Sequence, residues 1–157
     1  LSPVRIPAIE PVDLLKAAAK LGVDINPKAP LQMSATLSHL QAWEWLLRRS
    51  PLPSAALILE DDVLFHPAFA ALQRQAWKNR PTGGVYFQFG TCCTLCRNAR
   101  RRHQTGVDIR MLWVRSRGLG AHAYALTGHG AAQLLKDMRT TGLRNMSGEI
   151  DVWRPSA

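Results

Sequence analysis

The stretch Ala55-Ala56-Leu57-Ile58-Leu59-Glu60-Asp61-Asp62 decides how this chain folds. An unbroken apolar run of strand length, with no polar residue alternating through it, predicts a strand buried on both faces, as in a parallel or mixed sheet. Three carboxylates follow at once. Ionised together at a strand end they oppose one another, and a cation resolves that conflict. In open α/β sheets ligands gather at the carboxyl ends of strands, where this triplet falls. If the chain stays extended, the period of two places Glu60 and Asp62 on one side and Asp61 on the other. Glu60 and Asp62 are then candidates to share one hard divalent ion, Mg²⁺ or Mn²⁺, with phosphate oxygens and water completing its shell. The alternative is a solvated acidic turn with a helix-capping Asp.

Outward from this stretch, helices and strands interleave. Upstream, Leu37, Leu40, Trp43, Leu46 and Leu47 recur at three- and four-residue spacing, predicting a helix over 34–49 that Pro51 and Pro53 end. His39 falls on its apolar arc and Ser38 toward its polar side. A shorter helix begins after Asp13 and stops at Gly22, and a loop with Pro27 and Pro30 joins the two. Downstream, Pro67 opens a helix carrying Phe69, Leu72 and Ala76. Val85, Phe87 and Phe89 alternate with Tyr86 and Gln88 in a strand over 84–90; 108–115 is a weaker strand and 121–127 another. Gly128-His129-Gly130 then turns into a helix over 131–138. Such alternation predicts an α/β domain.

At 157 residues and 46% hydrophobic content the chain is one domain, able to bury a core without disulfides or a structural metal. No apolar stretch approaches the ~20 residues of a membrane span. Twenty Lys and Arg against eleven Asp and Glu give a net charge of +9, which favours anionic partners such as nucleotide phosphates, nucleic acid or membrane headgroups. The basic residues are spread out and no nucleic-acid motif accompanies them, so nucleic acid is not expected as a partner. Much of the charge sits in Arg97-Asn98-Ala99-Arg100-Arg101-Arg102-His103, read as a solvated loop or as a grip on an anionic acceptor or membrane surface. Cys92, Cys93 and Cys96 lack the paired spacing of a structural zinc site and read as an incidental thiol cluster, with a disulfide the alternative in an oxidising lumen.

Four motifs in order carry a family resemblance. They are Leu37-Ser38-His39-Leu40 with Trp43; Leu57-Ile58-Leu59-Glu60-Asp61-Asp62-Val63; Gly120-Ala121-His122-Ala123-Tyr124-Ala125-Leu126 followed by Gly130-Ala131-Ala132-Gln133-Leu134-Leu135; and Ile150-Asp151. Together they resemble glycosyltransferase family 25, which contains bacterial lipopolysaccharide galactosyltransferases and animal procollagen galactosyltransferases. The resemblance covers nearly the whole chain, with Arg5-Ile6-Pro7-Ala8-Ile9 similar to the segment after the family's first strand and helix. Two places depart from the pattern. Ser34-Ala35 stands where the family usually has Gly-Cys, and Gly83-Gly84-Val85-Tyr86 lacks the acidic residue that commonly opens the next strand.

The resemblance implies a GT-A type nucleotide-sugar-binding fold, with a mixed, mainly parallel sheet flanked by helices. Residues 1–157 would form a single such domain beginning beyond the family's first strand. It implies transfer of a hexose, galactose above others, from a UDP-sugar to a hydroxyl of a glycan or glycoprotein, with inversion. The acidic triplet would correspond to the family's Asp-x-Asp motif, with Glu60 and Asp62 on Mn²⁺ or Mg²⁺ and Asp61 toward the donor. Asp151, with Glu149 behind it, would be the general base. His39 or Ser38 would line the donor site, the alternative for His39 being a buried structural histidine. Tyr124 either fills the core or stacks on the donor. An inactive glycosyltransferase-like scaffold and a basic anion-binding module are the competing classes.

Overall fold

The computed structural model describes residues 3–63, 65, 67–79, 86–88 and 123–143. A 3₁₀ turn, Pro11–Asp13, leads into α1, Leu14–Leu21, which buries Leu14, Ala18 and Leu21 along one stripe. Gly22 ends α1 in the left-handed conformation (φ 68°). Its N–H reaches the Ala19 carbonyl and the Val23 N–H reaches that of Ala18, the Schellman arrangement that satisfies carbonyls at a helix end.

Helix α2, Pro30–Leu47, begins four residues before the expected position. A proline in the first turn has no N–H to lose there, so Pro30 starts the helix instead of ending the loop. Its buried residues, among them Met33, Leu37, Leu40, Trp43 and Leu46, form the middle of the core. The N-terminal segment lies across α2, tied by the Ile9 N–H to Ser38 Oγ (2.9 Å) and by Gln41 Nε2 to the Pro7 carbonyl (3.0 Å).

Three short strands follow: β1, Ala55–Leu59, β2, Tyr86–Gln88, and β3, Ala123–Thr127. Their order in the sheet is β1-β3-β2, and both pairings are antiparallel. The α/β class holds, but the expected mainly parallel pairing is not what the described strands display. Since β1 and β2 are each antiparallel to β3, they run in the same direction, and their carboxyl ends meet the start of β3 at one sheet edge.

The sheet buries its two faces unequally. Ala56, Ile58, Tyr124 and Leu126 turn toward α2 and join the core. On the other face Leu57 and Leu59 are exposed, so β1 is not buried on both sides as its apolar run predicts. Helix α3, Phe69–Lys78, starts two residues after Pro67 and serves this second face through Trp77, whose ring meets Phe87 edge-on at 5.5 Å.

Helix α4, Gly128–Thr141, follows β3 without a break. It starts three residues before the expected Ala131 because Thr127 Oγ1 accepts from the Gly130 N–H (3.0 Å), capping the helix at its first turn. That bond gives the Gly-His-Gly turn a structural use. Arg139 of α4 donates from Nε to the Leu21 carbonyl (2.8 Å) and from Nη2 to Glu44 (2.7 Å), joining α4 to α1 and α2. Among the described residues no helix is long and apolar enough to cross a membrane. The 108–115 strand, the Cys92, Cys93 and Cys96 cluster, and the basic run over 97–103 lie outside the described residues.

Candidate functional site

Strand register and helical spacing bring one polar cluster to the sheet edge where β1 ends. Ile58 pairs with Tyr124 across the sheet, and Glu60, two residues further along, returns to the same face. Opposite that face, His39 and Trp43 are one helical turn apart on α2 and point the same way. Trp43 Nε1 lies 2.8 Å from Tyr124 Oη, Tyr124 Oη 2.9 Å from His39 Nδ1, and His39 Nε2 3.4 Å from Glu60 Oε1.

Burial grades along this series. Trp43 and Tyr124 are each 1% exposed and His39 8%, whereas the Glu60 side chain keeps 32% of its surface in solvent. The cluster therefore runs from the core to an outward-facing carboxylate. Burial pushes the Tyr124 phenol well above its ordinary pKa; the Trp43 hydrogen bond works against this, and Tyr86 and Glu60 add to the rise. Tyr124 is thus a neutral hydroxyl at any physiological pH. The half-exposed Tyr86 ring stacks on it, with centroids 5.0 Å apart and planes 25° apart.

The residues singled out in the sequence divide into three groups. His39, Tyr124 and Glu60 are brought together. Ser38 is engaged elsewhere, its hydroxyl donating to the Ser34 carbonyl (2.8 Å) and accepting from the Ile9 N–H. Asp61 and Asp62 occupy an exposed turn directly after Glu60, so the extended geometry that would align Glu60 with Asp62 is not present. Glu149 and Asp151 lie outside the described residues. Tyr124 is enclosed, with its hydroxyl already bonded on two sides, which matches the core-packing alternative and leaves no face open for stacking on a donor.

No three His, Cys, Asp or Glu side chains among the described residues converge to hold a metal ion. The donor chemistry still suits Mg²⁺ or Mn²⁺. Glu60, part-exposed and in contact with His39, and the exposed Asp61 and Asp62 supply hard carboxylate oxygens at one end of the sheet. Trp43 and Tyr86 are members of the cluster that periodicity alone reads as core and strand residues. A buried indole N–H needs an acceptor, and that requirement was the available signal for Trp43. Compared with protein-family models, curated proteins and solved structures, the chain matches none.

Proposed function

We propose that this chain is a metal-dependent glycosyltransferase domain similar to family 25, transferring a hexose, galactose by the resemblance, from a UDP-sugar to a hydroxyl of a glycan or glycoprotein acceptor. One observation carries the reading. His39 of the Ser-His motif, Glu60 of the acidic motif and Tyr124 of the late strand motif, up to 85 residues apart in the chain, meet in a single hydrogen-bonded cluster. Three motifs that matter separately to the resemblance thus matter jointly to one place. The finer fold reading, GT-A with a mixed sheet, belongs to the same proposal, and the common direction of β1 and β2 around β3 is compatible with it.

In this reading the acceptor oxygen attacks the anomeric carbon of the donor, the bond from that carbon to the UDP oxygen breaks, and the configuration inverts. By the resemblance Asp151, with Glu149 as the second candidate, would take the acceptor proton. By the same resemblance Glu60 and Asp62 would hold the divalent ion and Asp61 would face the donor, which requires the 61–62 turn to rearrange around the ion; the ion, when bound, supplies positive charge beside the diphosphate. Membrane headgroups are a second anionic surface the basic chain suits.

Calorimetric titration with UDP, with and without Mn²⁺, tests the proposal. Binding that requires Mn²⁺ is expected, and Glu60→Ala or Asp62→Ala should abolish it while the thermal transition stays in place. Absence of binding under both conditions overturns it. An inactive scaffold of the same fold is the second reading, favoured by the lack of a three-ligand cluster among the described residues; retained UDP binding with no hexose transfer would select it.

A further inference from the structure

We infer that the buried series Trp43, Tyr124 and His39 is a positioning device for Glu60: it fixes the histidine tautomer so that an imidazole N–H is aimed at the first carboxylate of the acidic motif. The argument starts at the closed end. An indole nitrogen only donates, so Tyr124 Oη accepts from Trp43 Nε1. The phenol holds one hydrogen of its own, and among the described residues its other partner is His39 Nδ1 at 2.9 Å. Donating there, it makes Nδ1 the acceptor, and in a neutral imidazole the proton must then sit on Nε2. Nε2–H faces Glu60 Oε1 at 3.4 Å, long for a hydrogen bond but with the correct polarity.

The other neutral tautomer fails at both ends. Nδ1–H would donate to an oxygen already accepting from Trp43, leaving the phenol hydrogen to find a different acceptor. The Nε2 lone pair would then oppose the carboxylate. An imidazolium would restore the contact with Glu60 but displace the phenol hydrogen in the same way. The series therefore has one arrangement in which Trp43, Tyr124 and His39 are all paired, and it directs Nε2–H at Glu60.

Its consequence for the site differs from what the resemblance implies. His39 and Tyr124 do not line the donor pocket; they orient a carboxylate that does. Fixed hydrogen-bond partners behind a ligating or charge-bearing group hold its geometry, and their loss commonly costs on the order of 10–100-fold in affinity. This role for Glu60 rests on the proposed function, whereas the tautomer does not.

The experiment has two separable arms. In the full chain labelled with ¹⁵N-histidine, at a pH of about 8 where an ordinary imidazole is neutral, the His39 signals, assigned by their loss in His39→Gln, should report protonation at Nε2. Tyr124→Phe should shift them toward a mixture of tautomers. Protonation at Nδ1 in the unaltered chain overturns the inference, whatever the protein binds. In the second arm, UDP affinity measured with Mn²⁺ should fall on the order of 10–100-fold in His39→Leu. His39→Gln, whose amide can still donate to Glu60, should recover most of that loss. Equal affinities for the leucine, glutamine and unaltered proteins overturn the positioning role. Failure of the unaltered protein to bind UDP overturns the glycosyltransferase reading and leaves the tautomer result standing.

Discussion

At the scale of the residue, Tyr124 bears the most distinctive chemistry. Its phenol is buried, bonded to Trp43 and His39, and held protonated by desolvation. Because its folded pKa is raised above the unfolded value, its contribution to stability is fully present below about pH 10 and is lost as pH climbs from there toward the folded pKa. Alkaline unfolding should accordingly set in earlier for the unaltered protein than its neutral-pH stability suggests. Tyr124→Phe should flatten the pH dependence above about 10, at a cost of about 1 kcal/mol near neutrality for the lost hydroxyl bonds. Circular dichroism melts across that pH range check both. The sequence made Tyr124 and His39 legible as apolar-face residues, yet it did not reveal that they touch. Their contact depends on the register Ile58 to Tyr124 and on how α2 lies over the sheet, and no local pattern encodes either.

At the scale of the element, the strongest periodicities match the observed helices, and the ends match less well. Asp13 and Gly22 bracket α1 as expected, since a positive-φ stop is a local property. The start of α4 is not legible locally, because Gly128 and Gly130 resemble turn residues while the cap that recruits them is the preceding strand's last residue. Thr127→Ala should therefore cost about 1 kcal/mol, within the ~0.5–2 kcal/mol range for N-cap loss. Faster hydrogen exchange at the Gly130 amide is the specific sign of it. Strand β1 is less buried than its apolar run predicts for a related reason: such a run is the same whether one face is covered or two. Leu57 and Leu59 face away from α2, and only the three-dimensional arrangement decides what covers them.

At the scale of the whole molecule, the layers are held by long-range polar ties as well as by the core. Arg139 links α4 to the end of α1 and, through Glu44, to α2; Glu44 is shared with Arg48 at 2.6 Å. Arg139 is partly exposed, so its ion pair alone contributes little, whereas the bond from Nε to the Leu21 carbonyl is part-buried. Arg139→Met, which keeps the aliphatic stem, should lower stability by about 1 kcal/mol. The loss should change little with added salt. A chemical denaturation series at low and high NaCl measures this, and a large salt dependence would assign the effect to the ion pair instead.

The strand order has a consequence in time. The middle strand of the described sheet, β3, is the last of the three to be made, and β1 and β2 touch it instead of each other. Tyr124 follows His39 by 85 residues, so at ~5–20 residues per second a ribosome releases the histidine roughly 4–17 s before its partner. During that interval α1 and α2 can pair, but the phenol that bonds His39 Nδ1 in the folded chain is not yet present. A chain stopped before residue 123 would carry two of the three motifs and none of their joint geometry. Synthesis of β3 is therefore the step that lets the described sheet close and the Tyr124–His39 contact form.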